Sequence, residues 1–218
     1  MALAPLVVLD ANNATANQEM LQGVSGSGNN IPVMSLDSTR VTYRASGSFT
    51  PQATAAVTMI SIQGSATRTV RIKRIMVGGA STALSIAPII ALQRTSALGA
   101  GGTTVAATIV LLDRGASAGY AAATAVVNHY TTTLKAAGTA VGGAGAMSTQ
   151  RLFTDTVTTP TVASRQGTML FPEWGVPVGS AIVLRGVAEF LEVQNINGGN
   201  LAAGTVLEYV VEFEEDLS

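Results

Sequence analysis

Charge is what this sequence has least of. Only 11% of its 218 residues are Asp, Glu, Lys or Arg, less than half of the roughly 25% usual in a globular domain. Mean hydropathy is +0.39, whereas a free soluble monomer ordinarily keeps a well-charged skin. Such a surface suits a chain that hides area against neighbours, so composition already points to a building block. Net charge is −1, leaving no overall field to draw nucleic acid or anionic lipid. Cysteine is absent, which excludes disulfides and thiolate metal sites and leaves the redox compartment unread. The sole histidine, His129, cannot alone build a metal site of the His or His/Cys kind. Long apolar runs are missing too. The longest, Ala80 to Leu92, is interrupted by Ser81, Thr82, Ser85 and Pro88 and falls short of the roughly 20 residues of a spanning helix. Met1 to Leu9 is apolar but has no basic start and no cleavage site. No targeting segment is therefore read there, and the expectation is a soluble, unprocessed chain.

What is present divides in two. Residues 1–38 are rich in Asn, Ser and Gly around Asp10–Asn17 and Gly23–Asn30. Such composition buries too little to offset the entropy of ordering, so this stretch is expected to be an extended arm ordered by contact with something else. Residues 39–218 read as one β-domain. Val41, Tyr43, Ala45 and Phe49 share one parity, and Thr42, Arg44, Ser46 and Ser48 the other, a half-buried strand. Ala53 to Ile62 reads as a second. In Thr69 to Val77 the phase flips, because Arg74 falls on the parity of Val70 and Ile72. A β-bulge near Lys73–Arg74 repairs it. Ser85 to Thr95 and Thr103 to Asp113 read as covered strands, with Pro88 pulling the former toward an edge or a bulge. Ile182 to Val193 and Thr205 to Glu214 follow, joined by a hairpin loop over Asn195–Asn200. The last is the cleanest: Leu207, Tyr209, Val211 and Phe213 inward, and Glu208, Glu212 and Glu214 outward.

One segment reads two ways. Tyr120, Ala123, Val127, Tyr130, Leu134 and Ala137 have helical spacing, but Thr124, Val126, Val127 and Thr131–Thr133 are β-prone, and strand with loop is the preferred assignment. The strand count, with no helices alternating between strands, predicts an all-β antiparallel sandwich or jelly roll carrying an N-terminal arm.

Candidate chemistry is thin. Gly115–Ala116–Ser117–Ala118–Gly119 matches G-x-S-x-G literally. The fold that uses this elbow, however, needs its acid between Ser117 and His129, and none lies there. The motif is read as a turn and the protein as no enzyme, with no cofactor and no metal. Gly-rich stretches at 23–28 and 142–145 lack the Lys–Ser/Thr pair of a phosphate loop. Two charge clusters remain. Arg68, Arg71, Lys73 and Arg74 gather a third of the 12 basic residues, and Glu208, Glu212, Glu214, Glu215 and Asp216 gather acids at the C-terminus. They read either as two solvated strand faces or as inter-subunit contacts, a basic face on one copy meeting the acidic end of the next. Trp174, the only tryptophan, is the candidate anchor of the core or of such an interface.

The order of several segments resembles a family of small virion proteins of tailed bacteriophages. These segments are Gly64-Ser65-Ala66-Thr67-Arg68-Thr69-Val70-Arg71-Ile72-Lys73-Arg74-Ile75, Ile90-Ala91-Leu92-Gln93-Arg94-Thr95-Ser96 and Ala121-Ala122-Ala123-Thr124-Ala125-Val126-Val127 leading to Tyr130. Trp174-Gly175, Ile182-Val183-Leu184-Arg185-Gly186-Val187-Ala188-Glu189 and Leu207 to Glu215 complete the match. It covers about residues 40 to 216 and leaves the arm outside. The chain departs from the pattern in the arm and in a longer Gly/Ala loop around 138–148. The resemblance implies a jelly-roll or sandwich module of head decoration (cement) or minor capsid type, often a homotrimer. Its implied place is the capsid exterior and its partners are the major capsid protein and itself, with no nucleic acid and no membrane. It carries over no catalytic residues. The alternative expectation is a tail- or fibre-associated adhesin binding host glycan near Trp174.

Overall fold

The cleanest alternation in the sequence becomes the centre of a sheet. A computed structural model gives the fold, describing residues 40–51, 57–83, 89–112, 122–141, 145–152, 182–196, 201 and 204–216, with short strand segments at 8–9, 15–16, 155–156 and 169–170. The strands are β1 (Val8–Leu9), β2 (Thr15–Ala16), β3 (Arg40–Phe49), β4 (Val57–Gln63), β5 (Thr69–Ser81), β6 (Ile89–Ala97), β7 (Gly101–Ala106) and β8 (Thr108–Leu111). They continue with β9 (Val126–Lys135), β10 (Thr139–Ala140), β11 (Ser148–Arg151), β12 (Asp155–Thr156), β13 (Met169–Leu170), β14 (Ile182–Arg185), β15 (Phe190–Asn195) and β16 (Val206–Asp216). Of the arm, only β1 and β2 are described, paired with each other. The expectation of an extended arm ordered by contact falls otherwise on residues outside those described.

Two sheets face each other. The first runs β12-β5-β16-β3-β8, with β13 and β14 also on β5, and the second β10-β6-β15-β4-β9-β7, with β11 on β6. Eight strands form a nested antiparallel set. β3 pairs β16, β4 pairs β15, β5 pairs β14, and β6 pairs β11. First with eighth, second with seventh, third with sixth and fourth with fifth is a long hairpin wound on itself, with β16 and β15 also bridging to β5 and β6. That is a jelly roll.

Apolar parities close the core between the sheets. Val41, Tyr43, Ile72, Val211 and Phe213 from the first meet Ile60, Ile62, Leu92, Val127 and Val193 from the second, all buried. Tyr43 stacks on Phe213 at 5.5 Å between centroids. Val206 to Asp216 alternates half-buried and buried along its whole length, as its sequence predicts. The bulge is where the phase flip placed it. Glu212 opposes Arg74 while Phe213 opposes Ile72, so Lys73 is the extra residue, and both Lys73 and Arg74 point outward.

The connection from β6 to β11 carries an insertion that the sequence did not foretell. Residues 94–107 run antiparallel to 127–141 as a two-stranded ribbon. Its rungs include Val141 N to Arg94 O at 3.0 Å, Ala136 N to Ala100 O at 3.0 Å and Ala107 N to Val127 O at 2.8 Å, with Thr104 opposite Tyr130. The ribbon leaves β6, crosses the outer face of the second sheet and joins it again as β9 beside β4. Val126 to Lys135 is thus strand, in line with the β-prone composition of that segment. Three expectations need correction. Thr103–Asp113 is not one covered strand: it breaks at Ala107 as the chain steps from the second sheet to the first, and both pieces are exposed edge strands. Ile182–Val193 is also two strands, in different sheets, divided at Gly186, whose φ of 85° suits glycine. Finally, β15 and β16 lie in different sheets, so Asn195–Asn200 connects sheets and does not close a hairpin.

Candidate functional site

The structure brings the two charge clusters together within one chain. β16 runs between β3 and β5, so its outward acids lie in register with basic residues on both flanks. Glu212 sits between Arg44 and Arg74, with Arg44 Nη2 2.6 Å from one carboxylate oxygen and Arg74 Nε 3.2 Å from the other. Lys73 reaches Glu214 at 2.5 Å, and Asp216 accepts from Arg40 at 3.1 Å and Arg71 at 3.2 Å. The outer face of the first sheet is therefore a charge ladder in which five cations share three carboxylates of β16. Each exposed rung contributes about 0–1 kcal/mol. The ladder fixes strand register more than it adds stability, and none of these groups needs a neighbouring subunit to be paired.

Two carboxylates depart from that surface. Glu215 falls on the inward parity with Val211 and Phe213 and is 0% exposed. It accepts from Arg68 Nη1 at 2.9 Å, from the Thr124 and Ala125 backbone amides at 2.8 and 2.6 Å, and from the Thr124 hydroxyl at 3.0 Å. It thereby staples the lead-in to β9, part of the insertion, onto the end of β16. Arg68 and Glu215, grouped with the surface charges by sequence, form a largely buried pair, the carboxylate fully so. Removing one partner of such a pair costs about 3–5 kcal/mol.

Glu192, on β15, was missed by sequence reasoning. Its neighbours Leu191 and Val193 face the core, so it stands on the outer face of the second sheet, yet it is 0% exposed because the ribbon lies over it. Its carboxylate accepts from the hydroxyls of Thr58 and Thr95 (the latter at 2.8 Å), from Gln194 Nε2 at 2.8 Å and from the Gly138 amide at 3.1 Å. All four donors are uncharged; three of them meet one carboxylate oxygen and Thr95 meets the other. Gly138 is required here, since a Cβ would overlap the Glu192 carboxylate and the Ala97 carbonyl. Beside it Tyr130 shares a 2.7 Å hydrogen bond with Ser61, and Lys135 Nζ lies 5.0 Å above its ring. Burial pushes the Tyr130 hydroxyl above its ordinary value; the Ser61 hydrogen bond opposes the shift and the Glu192 charge adds to it. The cluster is sealed and satisfied, so its chemistry is that of a clasp.

His129 lies in the core. Nδ1 is 3.0 Å from the Tyr209 hydroxyl, the ring stacks on Phe49 at 4.9 Å, and burial lowers its pKa. Burial also raises the pKa of Tyr209. The histidine is a satisfied core residue. Ser117 and Trp174 lie outside the described residues. Among the described residues no group of three His, Asp or Glu side chains is placed to hold a metal ion. No family model matches the chain, and no curated protein or solved structure matches it.

Proposed function

We propose that this chain is a non-enzymatic structural component of a tailed-bacteriophage virion, a head decoration (cement) protein on the capsid exterior. Its partners are the major capsid protein and further copies of itself. One observation carries the reading: a jelly roll with a sparsely charged surface, whose described ionic groups largely pair with one another within the chain. Fold alone does not decide function, but a sparsely charged skin on a 22.1 kDa chain is costly for a free monomer and suited to lattice contacts. The family resemblance of residues 40–216 and the Asn/Ser/Gly-rich arm point the same way. An arm of that composition can wrap a large surface on binding, at the cost of its ordering entropy.

Quantitative mass spectrometry of purified particles tests this directly. Copies in the hundreds, scaling with the major capsid protein, are expected of a decoration protein. A dozen or fewer would move the chain to the tail and favour the glycan-binding adhesin. Absence from the particle would overturn the proposal.

A further inference from the structure

The two lateral edges of this sandwich are unlike each other. One is closed by β10, β11 and β14, near which stand Arg94, Glu189, Arg151 and Arg185. Arg94 and Glu189 pair at 2.6 Å, and Arg151 and Arg185 are exposed on their strands. Charges on edge strands are the usual guard against pairing with another chain. The other edge has no such guard among the described residues. It is formed by β7 of the second sheet and β8 of the first, and from Thr95 to Leu112 the sequence contains no charged residue and no proline. Among the described residues no strand pairs on the outer side of β7 or β8. Apolar groups are exposed along it: Val105 is 39%, Val110 46% and Leu112 41% accessible.

We infer that the edge from Thr104 to Leu112 is a self-association surface, and that its occupant is the same edge of a second copy. This goes beyond the virion reading and does not depend on it. The charge distribution selects the occupant. Against the opposite edge of another copy, the neutral strand would desolvate the exposed Arg185 and the part-exposed Arg94–Glu189 pair, an expensive arrangement. Against itself, it buries no charge. Self-pairing makes the contact isologous: a two-fold axis near Thr108 lays the segment antiparallel on its copy, with β7 of one subunit along β8 of the other. The paired stretch is about 30 Å long, and Val105, Val110 and Leu112 flank it. The product is a dimer, in place of the trimer that the family resemblance implies.

Sedimentation of the purified full chain tests the inference without any virion. The expected species has twice the 22.1 kDa chain mass. Thr108→Lys places like charges across the axis and Thr104→Lys sets a charge against Leu112 of the copy, both at exposed positions. Together they should raise the dimer dissociation constant at least about tenfold while leaving the circular dichroism unchanged. Thr149→Lys, exposed on β11 of the other edge, should leave the dimer intact. Hydrogen exchange should show the edge-facing amides of 104–112, those not bonded to β9 or β3, protected in the wild type and released in the double-lysine variant. A monomer, a trimer, or a dimer indifferent to the two lysines would overturn the inference. Any of these would leave the copy number per particle, and so the virion proposal, untouched.

Discussion

Truncating Glu192 asks whether a carboxylate with no cationic partner can hold a fold together. In Glu192→Ala the Thr58 hydroxyl can turn to the Ala136 carbonyl, 3.3 Å away, but the Gly138 amide and the Gln194 side chain lose their acceptor. Each buried donor left unpaired costs about 1–3 kcal/mol. Against that stands the desolvation of the carboxylate, which the variant no longer bears. The donors win: four hydrogen bonds hold the charge, and the cavity left by the side chain adds to the loss. The net cost is about 3 kcal/mol, or roughly 6–12 °C in Tm for a chain of this size. Glu192→Gln separates charge from geometry. Its amide oxygen can take the position facing Thr58, Gly138 and Gln194, while its NH2 group faces Thr95, whose hydroxyl rotates to accept. That variant should lose less than about 1 kcal/mol. Urea unfolding followed by circular dichroism gives both values, and hydrogen exchange at Gly138 reports whether the ribbon has lifted. An alanine variant as stable as the glutamine variant would refute the reasoning, because the clasp would then be holding nothing.

Other perturbations give equally direct outcomes. Burial depresses the His129 pKa, so below about pH 6.5, the ordinary histidine value, the unfolded chain takes up a proton that the folded chain refuses. The urea midpoint should therefore fall as pH drops through that value toward the folded pKa, and His129→Leu should flatten this stretch of the profile. Glu215→Ala strands the Arg68 guanidinium and two backbone amides and should cost about 3–5 kcal/mol in equilibrium unfolding. Gly79→Ala places a methyl group into the Val206 carbonyl and the Leu207 side chain across the β5–β16 pairing. A loss of about 1–3 kcal/mol is expected, and an unchanged melting temperature would show that β16 shifts freely.

Parity explains much of what was legible in the sequence. The alternation of β16, the half-buried β3 and the bulge at Lys73 all follow from a side-chain period of two, which each strand carries in its own residues. Glu215 was legible by the same rule, since it continues the inward series of Tyr209, Val211 and Phe213. Grouping it with its acidic neighbours hid that. Glu192 was not legible, because its local pattern places it on the outer face and only a ribbon folded back from residues 94–141 buries it. The break at Ala107 was equally silent: Thr103 to Asp113 is uniformly β-prone, and the step between sheets comes from pairing with β9 and then β3. Among the candidate contacts, the ladder residues could be assigned to one face from sequence. Their mutual pairing could not, because it depends on β16 lying between β3 and β5.

That pairing makes salt the most informative variable for assembly. Were subunits joined by Arg71, Lys73 and Arg74 of one copy on Glu212, Glu214 and Asp216 of the next, the interface would be a set of exposed ion pairs. Raising salt from about 0.1 M to 1 M shortens the screening length from roughly 10 Å to 3 Å, and such an association would weaken steeply. In the structure these groups are already matched within the chain, and the unguarded edge contains no charge to screen. Self-association should therefore be indifferent to sodium chloride, or be strengthened by a salting-out anion such as sulfate, which favours apolar burial. Sedimentation across a salt series reads this directly. Dissociation in 1 M sodium chloride would return the subunit contact to the charged face and remove it from the β7–β8 edge.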